Sequence, residues 1–83
     1  MEEKIWQLLR EINEDIPQNY EIGLIEGGYI DSFAIVNIVA SLEEKFNIEI
    51  DAEDIVPENF YNVKKIAIMV EANSGNVLYG EKK

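Results

Sequence analysis

Apolar residues recur with the period of an α-helix in three separate stretches of the chain. In each stretch the spacing i, i+3, i+4, i+7 puts the apolar positions on one face, as expected of a helix that packs against a core. The pattern predicts a first helix over EEKIWQLLREINE, a second from Asp31 to Phe46 and a last one over NVKKIAIMVEAN. The predicted core positions are Ile5, Leu8, Leu9 and Ile12 in the first helix, Ile35, Ile38, Val39, Leu42 and Phe46 in the second, and Val63, Ile66, Ala67 and Val70 in the last.

The segment between the first two helices is rich in turn-forming residues. DIPQNYEIGLIEGGYI contains Pro17 and three glycines, which interrupt it too often for a helix. Spaced apolar side chains predict instead a long ordered loop, held to the core by Ile16, Tyr20, Ile22, Leu24 and Ile25. A short helical turn is predicted over DAEDIV, capped by Asp51 and ended by Pro57. The pattern therefore predicts an all-α fold, a small bundle of three main helices plus a short fourth helix, with a long loop between helices one and two.

The length of the chain and the character of its end predict one domain with a tail. Eighty-three residues suffice for a single small core. Residues 1–73 hold all the predicted helices. SGNVLYGEKK, residues 74–83, has two glycines, no helical period and a charged end. We therefore expect residues 74–83 to form a flexible or loosely docked tail.

The charge and the absent residue types exclude several classes of function. Seventeen acidic residues against seven basic ones give a net charge of -10, which repels nucleic acid and anionic membrane surfaces and favours a monomer. Cysteine and histidine are both absent, which removes thiolate nucleophiles, zinc clusters and histidine-based triads.

The acidic stretch DAEDIVPE lacks the central glycine and ligand spacing of an EF-hand loop, so no metal site is predicted. No stretch approaches the roughly 18 apolar residues of a membrane span, and the N-terminus lacks a signal-peptide pattern, so we expect a cytoplasmic protein.

The start of the second helix holds the candidate chemistry. Asp31 is placed to be the N-cap, which leaves Ser32 at the first helical position. Free amide groups and the helix dipole favour a phosphate at this end of a helix. An Asp-Ser pair at a helix start is also compatible with capping alone, so the pair by itself leaves both interpretations open.

A second feature of this helix is an apolar ridge away from its core face. The helical period places Phe33, Val36 and Ala40 far from the core direction, and Glu43 and Glu44 at the far end of the ridge. Exposed apolar ridges rimmed by charge are typical of protein-interaction surfaces. The alternative is that the long loop or the tail covers the ridge.

The sequence GYIDSF, followed by IVNIVASLEEKFNIEIDAEDI, resembles the carrier-protein family, which includes acyl, peptidyl and D-alanyl carrier proteins. The serine of the family's G-x-x-D-S-[L/F] motif receives 4'-phosphopantetheine. The resemblance implies that Ser32 is the attachment site and that Asp31 positions it. It further implies a phosphopantetheinyl transferase that uses coenzyme A and a divalent metal, an adenylating enzyme that loads an acyl or aminoacyl thioester, and downstream transferases or synthases. The implied docking residues are Phe33, Val36, Ala40, Glu43, Glu44, Tyr61 and Val63.

The chain also departs from the carriers of fatty acid synthesis. Those carriers often place acids two and five residues after the serine, where this chain has Ala34 and Asn37. The departure favours D-alanyl, aminoacyl or other specialised carriers. Two other classes of function are compatible with the same features. An unmodified helical adaptor would use the ridge for binding alone, and an enzyme would need a base beside Ser32 that the sequence does not supply. The family resemblance implies a carrier and not an enzyme, with the adaptor as the alternative.

Overall fold

A computed structural model describes residues 1–77 of the chain. These residues form three α-helices, α1 (Glu2–Ile12), α2 (Ser32–Phe46) and α3 (Val63–Ala72), with two short 3-10 turns between α2 and α3. These turns span Ala52–Asp54 and Pro57–Phe60. The predicted all-α bundle is confirmed, and its helices begin and end within two residues of the predicted bounds. Within the described range, no helix has the length and apolar character needed to cross a membrane.

The core forms where α1 packs against both α2 and α3. Most predicted core positions are buried, while Ile12, Val39 and Phe46 pack at its margin and are only partly buried. Outside the helices, Phe60 is completely buried, and Ile48 and Ile50 are nearly so. Among residues 1–77 the buried apolar residues are Ile5, Leu8, Leu9, Ile16, Leu24, Ile30, Ile35, Ile38, Leu42, Ile48, Ile50, Phe60, Val63, Ile66, Ala67, Met69 and Val70.

The long loop before α2 is anchored at fewer points than predicted. Ile16 and Leu24 are buried, and Tyr20 and Ile22 pack partly against the core. The prediction for Ile25 is wrong, because this side chain is 36% exposed. Ile30, directly before the Asp31 cap of α2, is the additional buried anchor that the sequence did not single out.

The connection between α2 and α3 corrects two further predictions. Asp51 precedes the first 3-10 turn, but its side chain makes no capping hydrogen bond. Pro57 does not end a helix and instead begins the second turn, where its missing N–H and fixed φ are tolerated. That second turn buries Phe60 and leads into Asn62, the N-cap of α3.

A buried asparagine joins the end of α3 to the segment after α2. Asn73 is almost completely buried, and its carboxamide oxygen accepts from the backbone N–H of Asp51 at 3.1 Å and from Nδ2 of Asn76 at 3.0 Å. Its nitrogen donates to Oδ2 of Asp54 at 3.0 Å and to the carbonyl of Met69 at 2.9 Å. Since a buried amide without partners is costly, this full set of bonds fixes the geometry of both segments.

The first residues of the predicted tail contact the body of the protein. Val77 forms an isolated antiparallel bridge with Ile48, and the N–H of Glu49 donates to the carbonyl of Asn76 at 2.6 Å. The remainder of the predicted tail, residues 78–83, lies outside the described residues. The division into a domain of residues 1–73 and a tail of residues 74–83 therefore stays a prediction.

Candidate functional site

The N-terminus of α2 has the predicted cap. Asp31 has an extended backbone, with φ -130° and ψ -177°, and its Oδ1 accepts from the N–H of Ala34 at 2.8 Å. Its carbonyl accepts from the N–H of Ile35 at 3.1 Å, which closes the first turn. Asp31 is thereby confirmed as the N-cap, and Ser32 as the first residue of the helix. Both residues are exposed.

Two backbone donors remain available beside Ser32. The N–H groups of Ser32 and Phe33 have no acceptor among residues 1–77, and neither does the Ser32 hydroxyl. At the start of an α-helix such free N–H groups, together with the helix dipole, attract an anion. The exposed hydroxyl of Ser32 therefore lies where a phosphate ester would be stabilised by the backbone.

The loop that leads into Asp31 is held in a compact turn. The N–H groups of Tyr29 and Ile30 both donate to the carbonyl of the buried Leu24, at 2.8 and 3.2 Å. Gly27 is tightly enclosed, since a Cβ atom there would lie 2.8 Å from the carbonyl oxygen of Gly23 and 2.8 Å from a ring carbon of Tyr29. Gly28 has φ +80°, which favours glycine. These glycines let the chain turn sharply directly before the cap of α2.

Leu24 and Glu26 in this loop contact Tyr61 in the segment before α3, and we call these contacts the clasp. The N–H of Leu24 donates to the carbonyl of Tyr61 at 2.7 Å, and the Tyr61 hydroxyl donates to Oε1 of Glu26 at 3.0 Å. The hydrogen bond to Glu26 raises the pKa of Tyr61 above its usual 10.0, with smaller contributions from the carboxylate charge and from burial. The clasp thus connects the loop before α2 directly with the start of α3.

The apolar ridge of α2 is exposed as its period predicts. Phe33 is 80% exposed, Val36 is 68% exposed, and Ala40 is also exposed. Within residues 1–77, neither the long loop nor the beginning of the tail covers them. The side chains beside the ridge at Ala34 and Asn37 carry no charge. The exposed surface of α2 next to Ser32 therefore carries no charge at these positions, and Phe33, Val36 and Ala40 make its ridge apolar.

The other predicted docking residues fall into different environments. Glu44 and Tyr61 are exposed. Glu43 is only partly exposed, and its Oε2 accepts from the N–H of Ile50 at 3.0 Å, so this carboxylate supports the fold. Val63 is 0% exposed, which corrects its placement on a surface: its side chain belongs to the core. The helical period predicted Val63 as a core residue, whereas the family resemblance implied it as a docking residue, and burial decides for the core.

Sequence reasoning missed two depressions near this surface. One lies between the long loop and the second 3-10 turn, has a volume of about 320 Å³ and is lined by Ile25, Glu26, Pro57, Glu58 and Tyr61. The other lies between the end of α1 and the start of α2, beside Asp31. No signal in the sequence locates either one, because each is formed by segments that are far apart in the chain.

Comparisons with known proteins give D-alanyl carrier proteins among the relatives of this chain. D-alanyl carrier proteins of Bacillus cereus (strains B4264 and AH187) and Bacillus anthracis (strain CDC 684 / NRRL 3495) are each 32% identical to this chain over 54 residues. The match covers 63% of this chain and 68% of each relative. No family model matches the chain, and no solved structure matches it.

The relatives and the structure agree on the class of protein. The relatives are carrier proteins, and carrier proteins are not enzymes, so this chain has a carrier role and not a catalytic one. Its small helical bundle fits that role, with an exposed serine at the start of α2 and no histidine or cysteine anywhere in the sequence. The chain therefore belongs to the family of phosphopantetheine-binding carrier proteins.

Proposed function

We propose that this protein carries an acyl or aminoacyl group as a thioester on a 4'-phosphopantetheine arm attached to Ser32, and presents it to partner enzymes in the cytoplasm. The observation that carries the proposal is the position of Ser32, whose exposed hydroxyl lies beside two N–H groups that have no acceptor among residues 1–77. The D-alanyl carrier names of the relatives support an aminoacyl group, and D-alanine in particular, as the first cargo to test.

The residues around Ser32 fit a phosphodiester. The N–H groups of Ser32 and Phe33 can donate to its oxygens, and the dipole of the 15-residue helix α2 favours its negative charge. Asp31 keeps the first turn in place through its bond to the N–H of Ala34, so it positions the serine. When attached, the arm supplies the thiol that a chain without cysteine lacks.

The attachment step is the transfer of the phosphopantetheinyl group from coenzyme A to Ser32. Oγ of Ser32 attacks the phosphorus of coenzyme A that bears pantetheine, the new O–P bond forms, and the bond to 3',5'-ADP breaks. The serine proton passes to a base of the phosphopantetheinyl transferase, because no histidine exists on this chain. The divalent metal accompanies coenzyme A as part of the transferase reaction. This chain supplies the nucleophile and the geometry of its helix start.

The partners are the transferase, an adenylating enzyme that loads the arm, and the transferase or synthase that receives the cargo. We propose that they dock on Phe33, Val36 and Ala40, with Glu44 and Tyr61 at the margin. Burial of such apolar side chains supplies binding free energy, whereas the uncharged Ala34 and Asn37 offer no pairing for basic residues. The same exposed ridge is what supports the alternative, an unmodified adaptor.

Intact mass after incubation with coenzyme A, magnesium and a broad-specificity transferase separates these two functions. We expect one added phosphopantetheine on the wild-type chain and none on Ser32→Ala, because the proposed acceptor hydroxyl is then missing. An unchanged mass of the wild type, in a reaction that modifies a known carrier, would overturn the proposed attachment and leave the adaptor.

The docking ridge is tested by placing a charge on it. Val36→Asp should keep the fold, since Val36 is exposed, and should reduce kcat/KM for modification about tenfold, equivalent to roughly 1.4 kcal/mol of lost docking. Ile68→Asp is the matched control, because Ile68 is 63% exposed on α3 and away from the ridge. Equal rates for the two variants, with both folded by circular dichroism, would show that partners dock elsewhere.

A further inference from the structure

Two asparagines, Asn13 directly after α1 and Asn19 in the long loop, form the same local turn but differ in one hydrogen bond. The Oδ1 atom of each accepts from the N–H two residues later, at 3.0 Å for Asn13 and 3.1 Å for Asn19. The carbonyl of each accepts from the N–H three residues later at 3.2 Å. The turn thus uses only the oxygen of the side-chain amide. Within residues 1–77 the side-chain nitrogen of Asn19 has no acceptor, whereas that of Asn13 donates to the carbonyl of Tyr29 at 2.9 Å.

The additional bond of Asn13 acts on the peptide group that leads into the cap of α2. The carbonyl of this peptide group belongs to Tyr29 and accepts from Asn13. Its N–H belongs to Ile30 and donates to the carbonyl of Leu24 at 3.2 Å. The side chain of Ile30 is buried in the core. The peptide group directly before Asp31 is therefore held from two sides, by the residue that ends α1 and by the loop.

We propose that Asn13 is a positioning residue for the modification of Ser32, an inference that rests on the proposed attachment of phosphopantetheine there. The first turn of α2 is open to fraying, because the N–H groups of Ser32 and Phe33 have no acceptor among residues 1–77. The bond from Asn13 fixes the direction in which the chain enters this turn. Oγ of Ser32 thereby keeps its place relative to the ridge on which the transferase is proposed to dock.

A positioning role of this kind predicts which kinetic parameter changes when the bond is removed. Val36 and Ala40 of the ridge lie beyond the first turn of α2, in the part of the helix that buried side chains hold to the core. Without the bond from Asn13 the transferase should still bind the carrier, so KM should change little. The value of kcat should fall, because the Ser32 hydroxyl is then aligned with the phosphorus of coenzyme A for a smaller fraction of the time.

The kinetics of modification by the transferase, with coenzyme A and magnesium, test the inference. Asn13→Ser keeps an oxygen that can accept within the local turn, adds no charge and is too short to reach the carbonyl of Tyr29. Asn19→Ser is the matched control, because it makes the same change in the same kind of turn where there is no further bond to lose. We expect Asn13→Ser to lower kcat about fivefold with KM within about twofold of the wild type, and Asn19→Ser to change neither.

Each outcome of this comparison decides the question, with both variants shown to be folded by circular dichroism. Equal kcat values for the two variants, or a rise in KM without a fall in kcat, would overturn the positioning role of Asn13 while the proposed function stands. If the wild-type chain is not modified, both proposals fall.

Hydrogen exchange of the Ala34 N–H provides a second measurement, which needs no transferase. This N–H donates to Oδ1 of Asp31, so its exchange reports opening of the first turn of α2. It should exchange faster in Asn13→Ser than in Asn19→Ser, while amides in the middle of α3 keep their wild-type rates. An unchanged rate at Ala34, or an equal increase in α3, would show that the bond supports only the fold as a whole and would overturn the inference.

A second pair of variants takes over should Asn13→Ser not fold. Asn13→Asp and Asn19→Asp each keep the size of the side chain and its accepting oxygen, remove the donor nitrogen and add the same charge. The same fall in kcat and the same faster exchange at Ala34 are expected for Asn13→Asp alone. Equal behaviour of these two variants would overturn the inference in the same way.

Discussion

Helices α2 and α3 begin with the same kind of N-cap, but their first residues differ in exposure. Asp31 and Asn62 both have extended backbones, and each side chain accepts from the N–H three residues later at 2.8 Å. The first helical residue is the exposed Ser32 in α2 and the completely buried Val63 in α3. Capping alone therefore does not distinguish a candidate site from an ordinary helix start.

The backbone N–H of the second residue in each helix shows why one helix start is covered and the other is exposed. In α3 the N–H of Lys64 donates to the carbonyl of Tyr20 at 3.2 Å, so the long loop uses it. In α2 the equivalent N–H, that of Phe33, has no acceptor within residues 1–77. The fold covers one helix start with its own loop and leaves the other open. An open start is what an attached phosphate requires.

The largest expected effect comes from exchanging the two first residues. Val63→Ser should lower the free energy of unfolding by about 2–4 kcal/mol, because it removes buried methyl groups and buries a hydroxyl. Ser32→Val should change it by less than about 0.5 kcal/mol, because the position is exposed, and should abolish modification. Urea unfolding followed by the fluorescence of Trp6, the single tryptophan, measures both. Equal losses of stability would mean that the two helix starts are not covered differently.

Removing the caps should have smaller and similar effects. Asp31→Ala and Asn62→Ala should each cost about 1 kcal/mol, since each leaves one N–H of the first turn without its acceptor. Asp31→Asn is the control that keeps an acceptor oxygen and should retain most of the stability. The midpoints of urea unfolding report these changes. A negligible cost for Asn62→Ala beside a clear cost for Asp31→Ala would show that the caps are not equivalent.

The smallest effect concerns the clasp, which links the two helix starts through Glu26 and Tyr61. Because the pKa of Tyr61 is raised in the folded state, the hydrogen bond contributes stability below the ordinary tyrosine pKa of 10.0. This contribution is lost as the pH rises through the raised pKa. Glu26→Gln should move the pKa of Tyr61 down towards 10.0, as measured by NMR titration of the tyrosine rings. An unchanged Tyr61 titration in Glu26→Gln would show that this hydrogen bond does not form in solution. The ring signal that is missing in Tyr61→Phe identifies which of the tyrosine signals belongs to Tyr61.

Much of the candidate site could be predicted from local sequence. The cap at Asp31, the place of Ser32 as the first helical residue and the exposure of Phe33 and Val36 all follow from interactions within a few residues along one helix. Such interactions depend little on the rest of the fold. The role of Ser32 as the attachment point is not of this kind, and it stays a prediction until the modified protein is weighed.

The environments of several other residues depended on contacts between distant segments. The apolar loop residue Ile25 was expected in the core, but its side chain is exposed. The acidic helix residue Glu43 was expected on the docking surface, but its side chain accepts a hydrogen bond from the N–H of Ile50. The depression beside Asp31 likewise needs α1 and the loop before α2 to meet.

The sequence by itself determined the three helices, the Asp31 cap and the outward ridge, because hydrophobic period and capping act over three or four residues. Only the tertiary structure decided which helix start stays open. That outcome depends on where the long loop crosses the bundle. The carbonyl of Tyr20 in this loop accepts from the N–H of Lys64 at the start of α3, whereas the end of the loop at Ile30 leaves Ser32 exposed. The path of a loop is set by packing across the whole core, which no local pattern encodes.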